Sequence, residues 1–344
     1  MKRMTQSLSI LLAGLMLVLA GCREITTTTV VHPDGGITRI IETEGDSTLA
    51  QDVAYPIPTG EGWDKAQRQE KVNGEEKTIW TFTKRFPSII SMLGEMAEIA
   101  DQPRRIKLST DLIKRVRWFY TYTTYREAVG SYNVFPVPVS DFLTSEELLL
   151  KAAHDSTTDK AVLEEIDAKY ERWQAHAILE LLYQGLKTHA GEAGMPAAAE
   201  MESRKDVLLG DLVRAVDLDE AGFDLDVFLT VAAKSLGAPA VLNLTTAMTP
   251  VWEDLEARLE FMQSVEEDSY VFRVEMPGII LDTNADGIEG NRAYWKVNHS
   301  QFLDQDYVME VTSRTANRWA LVVTGLVGLA ALLVLVVPLI RKKR

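Results

Sequence analysis

Residues 319–340, WALVVTGLVGLAALLVLVVPLI, carry no charge and run straight into Arg341-Lys342-Lys343-Arg344. At about 1.5 Å rise per residue, a helix of this length crosses a hydrocarbon core of about 30 Å with modest tilt. Trp319 stands where an interfacial aromatic belongs, and the terminal cations mark the cytoplasmic side by the positive-inside rule. The competing reading is a buried helix of a soluble domain, which suits an uncharged run with a basic tail poorly. Gly325 and Gly328 are three apart and make no GxxxG pairing face; Pro338 lies near the end, where a kink disturbs little. The sequence therefore predicts a transmembrane helix at 318–340 and a cytoplasmic basic tail at 341–344.

The other end is also apolar. Met1-Lys2-Arg3 is followed by an apolar run from Leu8 to Ala20 and by Leu19-Ala20-Gly21-Cys22. A charged start, a short apolar core and small residues before a cleavage point make a secretory signal, 1–21. Cys22 is the one cysteine of the chain, so neither an intrachain disulfide nor a cysteine metal site can form. The tetrapeptide resembles the bacterial lipobox. That resemblance implies a diacylglyceryl thioether on Cys22 and an acylated new N-terminus, palmitate being a typical chain. An ordinary signal peptide with an incidental cysteine is the alternative. Each buried CH₂ contributes roughly 0.8 kcal/mol, so several chains anchor firmly. The two anchors agree on topology, with residues 23–317 extracytoplasmic (periplasmic). A helical span points to the inner membrane, since outer-membrane spans are barrels.

The formal net charge is −14. Lys2, Arg3 and the last four residues are all cations, and without them residues 22–340 carry −20. So acidic a body is repelled by nucleic acid, which is excluded as a partner.

The extracytoplasmic chain reads as α+β. EITTTTVV and ITRIIET flank Pro33-Asp34-Gly35-Gly36, a hairpin over 24–44. A second hairpin, 63–86, turns at Asn73-Gly74. Pro87 to Pro103 is ambiguous, with a short helix available to SIISMLGEMAEIA. Residues 104–126 read as one long strand with bulk on both faces (Val116, Trp118, Tyr120, Tyr122 against Arg115, Arg117, Phe119), which suits a central strand covered on both sides. Its seven cations against one Asp would either pair with an acidic neighbour or hold an anionic head group. Strands follow within 270–312. An antiparallel β-domain of 22–140 and 269–316 is thus interrupted by 141–268, where 27 Asp/Glu face 10 Lys/Arg. That insertion is helical: Thr144-Ser145-Glu146-Glu147 starts like a cap. Leu163, Ile166, Tyr170, Trp173, Ala177 and Leu181 form an amphipathic stripe from about 158 to 188. More helices are expected at 203–217, 224–236 and 250–265.

No motif identifies catalysis. Asp282, Asn284 and Asp286, with Gly287, match the first half of a calcium loop, but its twelfth position is Ala293 rather than Glu. A polar loop with Gly287 at positive φ is the simpler reading. His32, His154, His176, His189 and His299 are scattered, with no HExxH and no GxSxG. Tyr120, Tyr122 and Tyr125 read as packing residues that could line a groove. The acid pairs Glu164-Glu165 and Glu266-Glu267 read as solvated. No catalytic residue, metal ligand or cofactor is assigned; the one site residue is Cys22.

ITTTTVVHPDGGITR, RVRWFYTYTTYRE and the closing MPG…DTNADG…YWKV…YVMEVTSRTANRWA resemble a group of envelope lipoproteins of Bacteroidetes-type bacteria. More distantly, the order of lipobox, Thr/Val hairpin, Pro-Gly and C-terminal span is similar to the mycobacterial LppM type. That similarity implies an extracytoplasmic domain able to bind lipids; the acidic helical block has no counterpart in it. The expectation is a non-enzymatic envelope lipoprotein. It is held in the bilayer through Cys22 and the 318–340 helix, and it binds a lipid or an envelope protein. The alternatives are a scaffold docking a basic partner on the acidic helices, and a membrane-proximal hydrolase with a site assembled from distant residues.

Overall fold

The computed structural model describes residues 23–341 apart from 45–53, 59, 73–74, 101–103, 154–158, 193 and 219–222. Cys22, the signal segment, the Asn73-Gly74 turn, His154 and the last three residues lie outside these. The chain is α+β and forms two units: a β unit of 24–130, 269–297 and 306 onward, and a helical unit of 131–268 with 298–305. The helical unit thus begins ten residues before the 141 expected, and it takes a second segment from the later chain.

The β unit contains two sheets. The larger has the order β3-β4-β2-β1-β7-β10-β9, from β1 (Arg23–Val31), β2 (Ile37–Glu44), β3 (Asp64–Val72), β4 (Glu75–Phe86), β7 (Asp268–Glu275), β9 (Gly287–Glu289) and β10 (Arg292–Val297). The smaller is β5-β6-β11-β8, from β5 (Leu108–Val116), β6 (Tyr120–Val129), β8 (Ile279–Thr283) and β11 (Tyr307–Ala316). Helix α1 (Ile89–Ala100) settles the ambiguous stretch. The first hairpin forms as expected, with Ile25 opposite Thr43 and Val31 opposite Ile37. His32 N–H donates to the Gly36 carbonyl, and Gly35 takes φ 100° at the turn, a conformation open to glycine. β2 alternates strictly, burying Ile37, Arg39, Ile41 and Thr43. Apolar side chains from both sheets fill the core, among them Ile25, Ile41, Phe272, Trp295, Val129 and Val311.

The run 104–126 is two antiparallel strands rather than one. Leu108 pairs with Val129 and Val116 with Thr121, and 117–119 make the turn. β5 is a sheet edge, and every residue from Ile113 to Tyr120 is exposed, so the covering on both sides predicted for this stretch does not exist.

In the helical unit, α2 (Ser145–Ala153) begins in a reciprocal box. Thr144 Oγ1 accepts from Glu147 N–H and Glu147 Oε2 accepts from Thr144 N–H, which satisfies two otherwise orphan donors. α3 (Lys160–Lys187) is capped by Asp159. It buries Ile166, Tyr170, Trp173 and Ala177, then Leu182 and Leu186 where the sequence pattern pointed to Leu181. Gly185 admits Met248 and Val251 of α7 (Thr245–Glu266); a Cβ there would meet both within 3.0 Å. α4 (Ala198–Ser203), α5 (Lys205–Leu218) and α6 (Leu225–Leu236) complete the unit. Asp224 caps α6, and Gly237 ends it in the left-handed region, the usual C-terminal device. A last helix, α8 (Arg318–Arg341), belongs to the β unit and follows β11 after Asn317.

Candidate functional site

Among the described residues, those singled out in the sequence do not form one cluster. His32 Nε2 lies 2.8 Å from Thr38 Oγ1, His189 Nδ1 lies 2.9 Å from Glu192, and the His176 ring packs on Phe142. Among the described residues, no three His, Cys, Asp or Glu side chains are grouped to hold a metal ion. In the 282–287 loop, Asn284 and Asp286 already serve the fold, while Asp282 is exposed. Asn284 Oδ1 accepts from Trp295 Nε1 at 3.1 Å and from Glu310 N–H at 2.9 Å, and its Nδ2 donates to the Val308 carbonyl at 2.7 Å. Asp286 Oδ2 accepts from Lys296 N–H at 2.7 Å. Gly287 does not take positive φ; it is needed because a Cβ would run into the Tyr294 ring and hydroxyl. The positive φ of this region falls at Gly290, 65°.

The acid pairs divide. Glu164 and Glu165 are exposed and each meets a lysine of its own helix, Lys160 and Lys169. Glu266, by contrast, is half-buried and accepts from the Tyr170 hydroxyl; burial pushes its carboxyl up. Asp268 is buried against Arg23, 2.8 Å away, and burial pushes it up to about 6 although Arg23 opposes the shift. A depression of about 150 Å³ lined by Ser140, Leu143, Leu149, Ser300 and Asp304 lies in the helical unit, smaller than the roughly 300–1,000 Å³ of ligand pockets.

The tyrosines also part. Tyr125 faces the core and is fully buried, while Tyr120 and Tyr122 lie on the opposite face of β6, and Tyr120 is exposed. Tyr125 belongs to a polar cluster between the sheets. Arg39 on β2 makes a two-pronged contact with Glu127 on β6, Nη2 to Oε1 at 2.6 Å and Nη1 to Oε2 at 3.0 Å. Arg39 also donates to Thr29 Oγ1 and to the Tyr55 hydroxyl; the Tyr125 hydroxyl donates to Glu127. Both charged side chains are about 1% exposed. Burial opposes the Arg39 charge, and the Glu127 carboxylate overcomes it, so the guanidinium is held more firmly protonated than usual. Burial, then the charge of Glu127, pushes the Tyr125 phenol well up. The cluster is buried and joins the two sheets. Sequence reasoning missed it, although Arg39 sits in the apolar register of β2.

The turn between β5 and β6 is exposed. Ile113-Lys114-Arg115-Val116-Arg117-Trp118-Phe119-Tyr120 combines five apolar or aromatic side chains with three cations and no acid. Val116 is 67% and Trp118 53% exposed. Lys114 Nζ donates to the Pro33 carbonyl, and Arg115 and Arg117 have no carboxylate partner among the described residues. The turn holds its shape through Asn317. Asn317 Nδ2 donates to the Arg117 and Trp118 carbonyls and its N–H to Phe119 O, while its Oδ1 accepts from Thr121 Oγ1. Beyond Asn317 the turn rests on α8: Trp118 packs edge-on against Trp319 at 5.3 Å, and its Nε1 donates to Thr324 Oγ1 at 3.0 Å.

No family model and no curated protein matches the chain, so neither supports the resemblance to the Bacteroidetes-type lipoproteins. Among solved structures, the NMR structure of the folded domain of Mycobacterium tuberculosis LppM aligns over 86% of this chain and 92% of that domain. The sequence identity is 9% and the TM-score 0.27. A likeness that weak agrees with the one noted in the sequence and carries no argument about fold or function.

Proposed function

We propose that this chain is an envelope lipoprotein fixed in the inner membrane at both ends. Acyl chains on Cys22 and helix α8 are the anchors, residues 23–317 are extracytoplasmic, and the basic tail is cytoplasmic. Its work is binding, of a lipid or an envelope protein, rather than catalysis. The observation that carries the reading is how α8 leaves the β unit. The helix has the length and composition of a membrane span, and only 6% of its first eighteen residues are buried. A helix that serves a soluble core covers an apolar face; this one leaves Leu321, Val322, Leu326, Val327 and Leu329 uncovered. The turn fastened to its base is apolar, aromatic and cationic, which is the chemistry of a recognition surface.

Palmitate labelling with carbonate extraction tests the anchors. The wild-type chain takes up label and stays with the membrane; Cys22→Ser loses the label and stays, held by α8. Label on Cys22→Ser would remove the lipid anchor, and release of either protein by carbonate would remove the span. Lipid extraction from the purified full-length chain then tests the binding arm: a lipid retained in fixed ratio supports it, and a clean chain moves the reading to a protein partner.

A further inference from the structure

We infer that the β5–β6 turn, Ile113–Tyr120, is a third membrane contact that seats in the headgroup region of the leaflet α8 enters and prefers anionic lipid. The inference rests on the reading of α8 as a span and goes beyond it. Thr324 lies six residues past Arg318, about 9 Å along a helix rising about 1.5 Å per residue. Trp118 donates its indole N–H to Thr324 and packs edge-on against Trp319. Wherever the first turns of α8 sit, Trp118 sits beside them. If α8 crosses the bilayer from Arg318, the Trp118 ring lies within about 9 Å of the helix start, at the boundary of headgroups and acyl chains where tryptophan and tyrosine are favoured.

The composition of the turn fits that location and a water-facing one poorly. Five large apolar or aromatic side chains lie exposed in eight consecutive residues, and a monomeric surface seldom concentrates them so. The charge matches too. A body carrying −20 over 22–340 is repelled by anionic lipid, yet Lys114, Arg115 and Arg117 put three cations within four residues at the edge nearest the bilayer. Arginine stems lie along apolar surface while the guanidinium meets phosphate. Each such cation near an anionic surface adds to the attraction. Asn317 joins the turn to the helix base through four hydrogen bonds, so the contact fixes how the β unit stands on the membrane.

The test uses the full-length chain in vesicles of phosphatidylcholine with phosphatidylglycerol, carrying acyl chains brominated near the headgroup or near the bilayer centre. The chain has seven tryptophans, so the Trp118 signal is the difference between wild type and Trp118→Phe. Flotation of the same vesicles reports the anchor separately. The expected result is that both proteins float and the Trp118 difference signal is lost to headgroup-proximal bromine far more than to central bromine. That loss should shrink when phosphatidylglycerol is omitted, or in the Lys114→Gln/Arg115→Gln/Arg117→Gln variant. A floating protein whose difference signal no bromine quenches overturns the contact and leaves the anchoring of the chain standing. A quenched signal indifferent to anionic lipid and to the triple variant overturns the preference. A chain that does not float removes the span and the contact with it.

Discussion

Strand β6 carries opposite solutions at its two ends. Near its far end Glu127 is a charged residue with 1% of its surface exposed, locked to Arg39 of the other sheet. At its start Tyr120, with Phe119 and Trp118 before it, leaves large rings in the open. The usual rule puts apolar side chains inside and charges outside; this strand inverts it at both ends. The lesson is that what surrounds a residue decides burial. A charge can go inside when a complementary charge and hydroxyl groups are already placed there. A ring left in the open raises the question of what it faces, which the proposed membrane contact answers.

The largest expected effect tests the buried end. Arg39→Met leaves Glu127 buried without its countercharge and should cost about 3–5 kcal/mol, read by denaturant unfolding of the chain in detergent. Arg39→Met combined with Glu127→Leu removes both charges and should recover most of that loss, because the pair has to be stripped of water to form. A double variant as unstable as the single would mean that the hydroxyl groups around the pair, from Thr29, Tyr55 and Tyr125, hold the sheets together.

An intermediate case sharpens the contrast. Asp268 is buried against Arg23, yet burial outweighs the ion pair and raises the carboxyl from 3.8 to about 6. Between those values the folded chain binds more protons than the unfolded one. The stability given by the protonated form is therefore complete below about pH 3.8 and is lost as pH rises to about 6, at most about 3 kcal/mol at 1.36 kcal/mol per unit. Asp268→Asn should flatten that segment of the profile, so that wild type falls relative to the variant between pH 4 and 6.5. A difference constant with pH would show Arg23 cancelling the burial, as Glu127 does for Arg39. Both pairs are two-pronged; hydroxyl groups surround the one at Arg39 and Glu127, whereas the Arg23 side chain is partly exposed and only partly offsets the burial of Asp268.

A smaller effect is expected at the loop that matches half of a calcium site. Asn284→Ala should cost about 1–3 kcal/mol, because the buried Trp295 indole N–H loses its acceptor and an unpaired buried donor carries its full desolvation penalty. Calcium should leave the melting temperature of wild type where it is. A calcium-dependent rise would show that the Asn284 and Asp286 oxygens exchange their internal partners for a metal.

These cases also show which features the sequence made legible. The β1–β2 hairpin followed from Pro33-Asp34-Gly35-Gly36, a signal four residues long. The helices of 141–268 followed from their 3.6-residue stripes, with Leu181 and Leu182 exchanged at the end of α3. The β5–β6 hairpin was hidden because its turn, Arg117-Trp118-Phe119, has none of the Gly, Pro, Asn or Asp that mark turns. Its carbonyls are served instead by Asn317, 199 and 200 residues along the chain. Alternation without punctuation reads as one strand, and only a tertiary partner bends it. Arg39 left a faint trace, a cation in the apolar register of Ile37 and Ile41, whose meaning depended on Glu127 some ninety residues later. Gly287 was given the wrong reason: the ring of Tyr294, rather than backbone strain, excludes a side chain there.

The smallest expected effect completes the comparison at the exposed end. In detergent, Val116→Thr should change unfolding free energy by no more than about 0.5 kcal/mol, the range of surface substitutions away from special features. An apolar residue in the core of the same unit, Val311 for example, would lose far more on the same truncation of apolar surface, since Val311 is fully buried and Val116 has two thirds of its surface free. If Val116→Thr destabilised the chain by 1–2 kcal/mol, the turn would be packing against protein, and its exposure could not be explained by lipid. If it is neutral, folding does not require those apolar groups at the tip, and the reason for them has to be sought in what the tip touches, which is where the quenching of Trp118 gives its answer.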